Sequence, residues 1–240
     1  MQLPLFLVLL LSSFAFADVD AVLNQLHTRG ADLKSMAADV KLMTRDSDLG
    51  DDDWDANVGT MVLERKPDDD TRVRVTFTER TRGKRTEKAR RDYVIDGPSL
   101  VDRDWKAKKQ TTRIVRRPGE KLDLFKLGEG PFPMPLGQKP EDVRKEFTVK
   151  PAAPEKPTAG VTYIELTPIA GSPMAQRFSR VTVGVNSDGW PVEVETSDKN
   201  AVIVTRAVLS NIRVNNAVAG KEFELEPIDD SWDKIDVPYQ

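Results

Sequence analysis

Thr71 to Glu79 reads TRVRVTFTE, and its alternation decides the fold class. Val73, Val75 and Phe77 fall on one side of an extended chain, with Arg72, Arg74, Thr76 and Thr78 on the other. A period of two with one apolar side describes a strand that rests one face on a core and turns the other to water. Similar stretches follow on both sides: Val40–Arg45, Val58–Lys66, Arg91–Ile95, Leu100–Asp104, Lys109–Arg116, Lys145–Val149, Val161–Thr167, Phe178–Val185, Val192–Thr196, Val202–Leu209, Ile212–Val218 and Phe223–Leu225. Turn residues punctuate them, as in Asp96-Gly97-Pro98, Asn186-Ser187-Asp188-Gly189, Asp198-Lys199-Asn200 and Asn215-Asn216. No helical stretch after Thr71 is long enough for a parallel crossover, so the sheet is expected to be an antiparallel meander.

Upstream the period changes. Val19, Val22, Leu23, Leu26, Leu33 and Met36 follow mostly i, i+3, i+4 spacing, which predicts an amphipathic helix from Asp18 to about Met36, interrupted at Gly30. Before it, Met1 to Ala17 (MQLPLFLVLLLSSFAFA) carries no charged side chain and ends in the small-x-small pattern Ala15-Phe16-Ala17. It is too short to span a bilayer, which takes about 20 apolar residues. It reads as a secretory signal, leaving 18–240 as a single domain, exported and soluble.

Composition closes other doors. The chain of 240 residues has no cysteine, which excludes disulfide scaffolds, iron–sulfur sites and thiol enzymes, and its one histidine, His27, cannot build a histidine-rich metal site. A net charge of −3 gives no general reason to expect nucleic acid. Export without cysteine suits a periplasm-like space. The run Asp46–Asp55 holds six aspartates, but counting twelve from Asp46 lands on Asn57 rather than the bidentate Glu of a calcium loop, so a solvated loop is expected. No elbow surrounds Ser210, and no carboxylate sits in an apolar run that would raise its pKa for acid catalysis. The reading is therefore not an enzyme, with no catalytic residue, no metal and no cofactor.

Two stretches invite functional readings. Arg80 to Arg91 (RTRGKRTEKARR) carries seven basic residues and one Glu around Gly83. It is either an exposed hairpin tip or, through Arg80, Arg82, Lys84 and Arg85, a docking site for an acidic partner or anionic headgroups. Gly128 to Gly137 (GEGPFPMPLG) is no phosphate loop, because Pro131, Pro133 and Pro135 lack the N–H donors one needs. Its Phe132, Met134 and Leu136 would be wasted in water and are expected to cover something apolar, as a packed loop or as a mobile cover.

The order of these pieces resembles the periplasmic lipoprotein carriers, the LolA-like family. The resemblance rests on Arg65-Lys66-Pro67, Val94 to Leu100 (VIDGPSL), Gln110-Thr111-Thr112, Gly130-Pro131-Phe132, Leu166-Thr167-Pro168, Asp188 to Val194, and Asn211 through Phe223 to Pro227, collinear over most of the chain after the signal. It implies an incomplete antiparallel β-barrel of about 11 strands, with the N-terminal helix and a lid covering an apolar cavity. It further implies acyl chains of a lipoprotein or related lipid as cargo, shuttled from inner to outer membrane. The implied partners are an inner-membrane ABC transporter and an outer-membrane receptor, with no nucleic acid and the chain acting as a monomer. Val62, Val73, Val75, Phe77, Val181 and Val183 are expected to line the cavity and Phe132, Met134 and Leu136 to cover it. Lys66 stands where the family carries the arginine that latches the lid, and lysine lacks the planar fork of donors. Two rival readings are a sensor of envelope lipoproteins on the same fold and a hydrolase on a β-sandwich.

Overall fold

The computed structural model describes residues 18–47, 54–66, 70–117, 120 and 136–239. The leader and most of the proline-rich segment, Phe132 and Met134 included, lie outside the described residues. Helix α1 (Val19–Ala31) opens the fold. Asp18 caps it, its carboxylate accepting from the backbone N–H of Asp20 and Ala21 at 3.0 and 3.3 Å.

Six strands follow: β1 (Ser35–Asp46), β2 (Asp55–Arg65), β3 (Thr71–Arg82), β4 (Arg85–Asp96), β5 (Ser99–Asp104) and β6 (Lys109–Ile114). A short helix α2 (Pro140–Glu146) leads into β7 (Phe147–Pro151), β8 (Val161–Pro168), β9 (Phe178–Asn186), β10 (Pro191–Asp198) and β11 (Ile203–Val214), and β12 (Asp233–Val237) closes the chain.

Among the described residues, all twelve strands form one open sheet in the order β12-β6-β5-β4-β3-β2-β1-β11-β10-β9-β8-β7. It is two antiparallel meanders, β1–β6 and β7–β11, joined where β1 pairs with β11. The fold is mainly β with an unclosed barrel-like sheet, as the sequence predicts, and being one sheet it is not the sandwich that the hydrolase reading requires. No helix among the described residues is long and apolar enough to cross a membrane.

Three local expectations are corrected, the first being that the helix predicted to run to about Met36 ends at Ala31, with Ser35 and Met36 already in β1. Val202–Leu209 and Ile212–Val218 are one strand rather than two, because Asn211 takes φ 51° and lets β11 run on past the irregularity opposite Ala37 and Asp39. Phe223–Leu225 is not a strand: Gly220–Phe223 is a 3-10 turn that buries Phe223. The strand β12 carries no alternation to betray it and pairs parallel to β6 through its backbone.

The last stretch crosses the sheet on the side away from α1. Arg74 Nη1 donates to the carbonyls of Glu222 and Glu224 at 3.3 and 2.8 Å, and Arg103 Nη1 to that of Glu226 at 2.6 Å. Asp92, fully buried, anchors this region: Oδ1 accepts from Thr76 Oγ1 and Arg74 Nη2 at 2.6 and 2.9 Å, and Oδ2 from Trp105 Nε1 and Arg90 Nε at 2.6 and 3.0 Å.

Candidate ligand-binding site

The apolar face of the sheet is plainest on β3. Val73, Val75 and Phe77 are buried on β3, facing Leu63 and Met61 on β2 and Ile95 and Tyr93 on β4. Phe77 meets Tyr93 edge to face at 6.1 Å. On the second meander Val181 and Val183 are fully buried with Leu166 and Ile164 as their cross-strand partners. All of these belong to one continuous cluster with Val22, Leu23 and Leu26 of α1, Leu136, Val143 of α2 and Phe147. The structure thus brings together Val73, Val75, Phe77, Leu136, Val181 and Val183.

Val62 does not join them. It pairs with Arg74, so it lies on the opposite face, and Met61 and Leu63 hold the inward positions. Three consecutive apolar residues gave the period no phase, and a one-residue slip reverses a strand.

A layer of α1, α2 and Leu136 lies on this face. At the near end of the proline-rich segment Leu136 is 1% exposed. Beside it the Gly137 N–H donates to the carbonyl of Leu26 at 3.0 Å, and His27 Nδ1 sits 2.9 Å from the Gly137 carbonyl. A Cβ on Gly30 would come 2.0 Å from the backbone nitrogen of Gly137, so the interruption in the helix pattern is where another chain segment touches its backbone. Arg29 Nε donates to the Asp188 carbonyl at 2.7 Å, and Arg144 Nη2 bonds Asp20 Oδ1 at 2.5 Å.

Among the described residues, this face is closely packed. Among the described residues, the apolar cavity lined by Val40, Met61, Val194, Ala207 and Leu209 measures about 10 Å³, room for about one water.

Lys66 does not act as an arginine-like fork. Its Nζ bonds Asp96 Oδ1 at 2.6 Å, tying the end of β2 to the β4–β5 turn. The bidentate clasp in this corner is Arg116, which sequence reasoning missed: Nη1 and Nη2 donate to the two oxygens of Asp70 at 2.6 and 2.8 Å, and Nε to the Gly97 carbonyl at 2.9 Å. Arg116 stands two residues before Pro118, and no local pattern singles it out.

The four basic candidates at the β3–β4 tip divide. Arg80 bonds Glu87 at 2.6 Å, Arg85 lies 3.8 Å from the same carboxylate and Arg82 3.2 Å from Asp55, and Arg82, Lys84 and Arg85 are exposed. Hydrogen bonds from Lys106 and then Arg80 hold the Glu87 carboxyl down to about 2.

Sequence reasoning also missed a cleft of about 550 Å³ on the opposite face, lined by polar residues of β8–β11, by Arg45 and Trp54, and by the mixed polar and apolar stretch 150–156 that runs from β7 toward β8. The alternation in Val192–Thr196 marked Glu193 and Glu195 as outward-facing, but which residues lie beside them depends on register. Burial raises the Glu193 carboxyl, and hydrogen bonds from Thr158 and Arg206 outweigh it, leaving its pKa below the ordinary value. Such a carboxylate is a fixed charge rather than a general acid. No group of three or more His, Cys, Asp or Glu side chains placed to hold a metal ion occurs among the described residues.

No family model and no curated protein matches the sequence. Solved structures with similar folds include MucB, at 13% identity over 87% of this chain with a TM-score of 0.47; the chain spans 63% of that protein's length. An uncharacterized conserved protein from Thermus thermophilus is similar at 8% identity over 92% of this chain and 99% of its own, TM-score 0.49. A LolA superfamily protein from Nitrosomonas europaea is similar at 14% identity over 85% and 96%, TM-score 0.33. Likeness this distant leaves function to be read from the chain's own geometry.

Proposed function

We propose that this chain is a periplasmic, non-catalytic carrier that takes acyl chains of lipoproteins or related lipids onto the apolar face of its sheet. One observation supports the reading: a single continuous apolar cluster lies between an open sheet and the helices and Leu136 that cover it. Uptake is an exchange, in which Leu136 and its neighbours leave the face and hydrocarbon takes their place. Exposing one leucine costs about 1.5–3 kcal/mol, and each acyl CH₂ kept from water returns roughly 0.8 kcal/mol, so a few methylenes offset it. An ordinary fatty chain is longer than that, and the exchange is reversible if the layer can return. The order of sequence motifs supports the same reading and extends it to loading by an inner-membrane transporter and delivery to an outer-membrane receptor. The carrier works as a monomer.

The test is lipid extraction and mass spectrometry of protein purified from its native envelope, together with uptake of a fluorescent fatty acid. Co-purifying acylated ligand and saturable uptake are expected. Recovery of neither would remove the reading.

A further inference from the structure

The cleft on the opposite face serves no step of acyl binding, and its construction is that of a second site. Its floor is a lattice set by strand register. Glu165, Thr182, Glu195 and Arg206 form one row across β8 to β11, and Tyr163, Gly184 and Glu193 form the next. Gly184 is required there, because a Cβ would lie 2.6 Å from the Tyr163 ring.

The centre of the floor is held by side-chain hydrogen bonds. Arg206 Nη2 donates to Glu193 Oε2 at 2.6 Å and the Thr158 hydroxyl donates to Oε1, while Tyr163 Oη accepts from the Thr158 N–H at 3.0 Å. Around this centre the pairing loosens. Arg180 and Glu195 stand 3.6 Å apart with side chains 49% and 28% exposed, beyond hydrogen-bond distance, and Lys150 pairs with Glu165 at 3.0 Å with the lysine 62% exposed. Trp54 adds an aromatic wall, with the Arg45 guanidinium 5.1 Å from its ring.

The lining includes five cations and four carboxylates, so a ligand of strong net charge meets as much repulsion as attraction. Acceptors and donors alternate a strand apart, which suits groups that both donate and accept. Hydroxyls do so, and an indole offers a surface for the C–H face of a ring. We propose that this cleft binds a neutral saccharide, its hydroxyls bridging Glu195 and Arg180 and a sugar ring resting on Trp54. The cleft's size is in the range of small-ligand sites, roughly 300–1,000 Å³.

The experiment is calorimetric titration of the full chain with maltotriose, cellotriose and diacetylchitobiose, and separately with inorganic phosphate and an extended acidic and an extended basic peptide. Saturable binding of at least one neutral saccharide is expected. Glu195→Gln, close in shape to the original, and Trp54→Ala should each weaken it about tenfold or more. Lys109→Ala, at an exposed position on β6 outside the cleft, should leave it unchanged. Silence from all three saccharides, saturable binding of phosphate or peptide alone, or full affinity in Glu195→Gln overturns the proposal. Fatty-acid uptake measured on the same samples reports the apolar face separately.

Discussion

Arg116 grips Asp70 through two parallel hydrogen bonds, with the side chains only 7% and 12% exposed. A buried pair of this geometry is costly to break one partner at a time, since the survivor keeps its charge without water. Arg116→Gln and Asp70→Asn should each lower stability by about 3–5 kcal/mol, and the double variant should cost less than the sum of the two. Denaturant titration reads this directly; single variants indistinguishable from wild type would mean that the clasp holds nothing.

Gly30 offers a change of sign. Replacing glycine by alanine inside a helix ordinarily stabilises by about 1 kcal/mol. Here the added methyl would collide with the backbone of Gly137. Gly30→Ala should therefore destabilise, and it should speed fatty-acid uptake by loosening the segment docked on α1. A stabilised variant with unchanged uptake would show that the close approach does not hold the layer down.

Leu136→Ala and Val62→Asp separate the two faces. Truncating the buried leucine should cost about 2–5 kcal/mol and make hydrocarbon entry easier, seen as faster or tighter uptake. Val62 stands beside Arg74 on the far side, so Val62→Asp should leave uptake as it was. The reverse ranking would move the binding face.

Asp92 sets an acid limit. Burial raises its carboxyl, but hydrogen bonds from Thr76, Trp105 and Arg74 outweigh this and hold the pKa below the ordinary 3.8. The stabilisation is complete above the unfolded value and is lost as pH falls toward the folded one, so stability should decline below about pH 4. Asp92→Asn should lose about 3 kcal/mol at neutral pH and show a flatter acid limb. Denaturant midpoints measured from pH 7 to 3 check both. An equally steep limb in the variant would assign the acid sensitivity elsewhere.

The sequence announced what depends on period and concealed what depends on pairing. Val73, Val75 and Phe77 alternate unambiguously, and their face is the one that packs under α1. Met61-Val62-Leu63 has no period, and only the register against Arg74 decides it. The clasp was sought at Lys66, next to proline, whereas Arg116 reaches Asp70 across a distance in sequence that no local pattern records. The opposite-face cleft was hidden for the same reason. Its Glu and Arg residues look like any solvated strand face until four strands set them side by side.

The junction of β1 with β11 has a temporal consequence. The first strand made receives one neighbour at once, from β2, and waits for its other until nearly the whole polypeptide has emerged. Throughout that interval it presents a row of unsatisfied amides and carbonyls, a template for any foreign strand. Distant closure of this kind also slows folding. Newborn chains should therefore need escort most acutely at the stage when the first meander is complete and the second has yet to arrive.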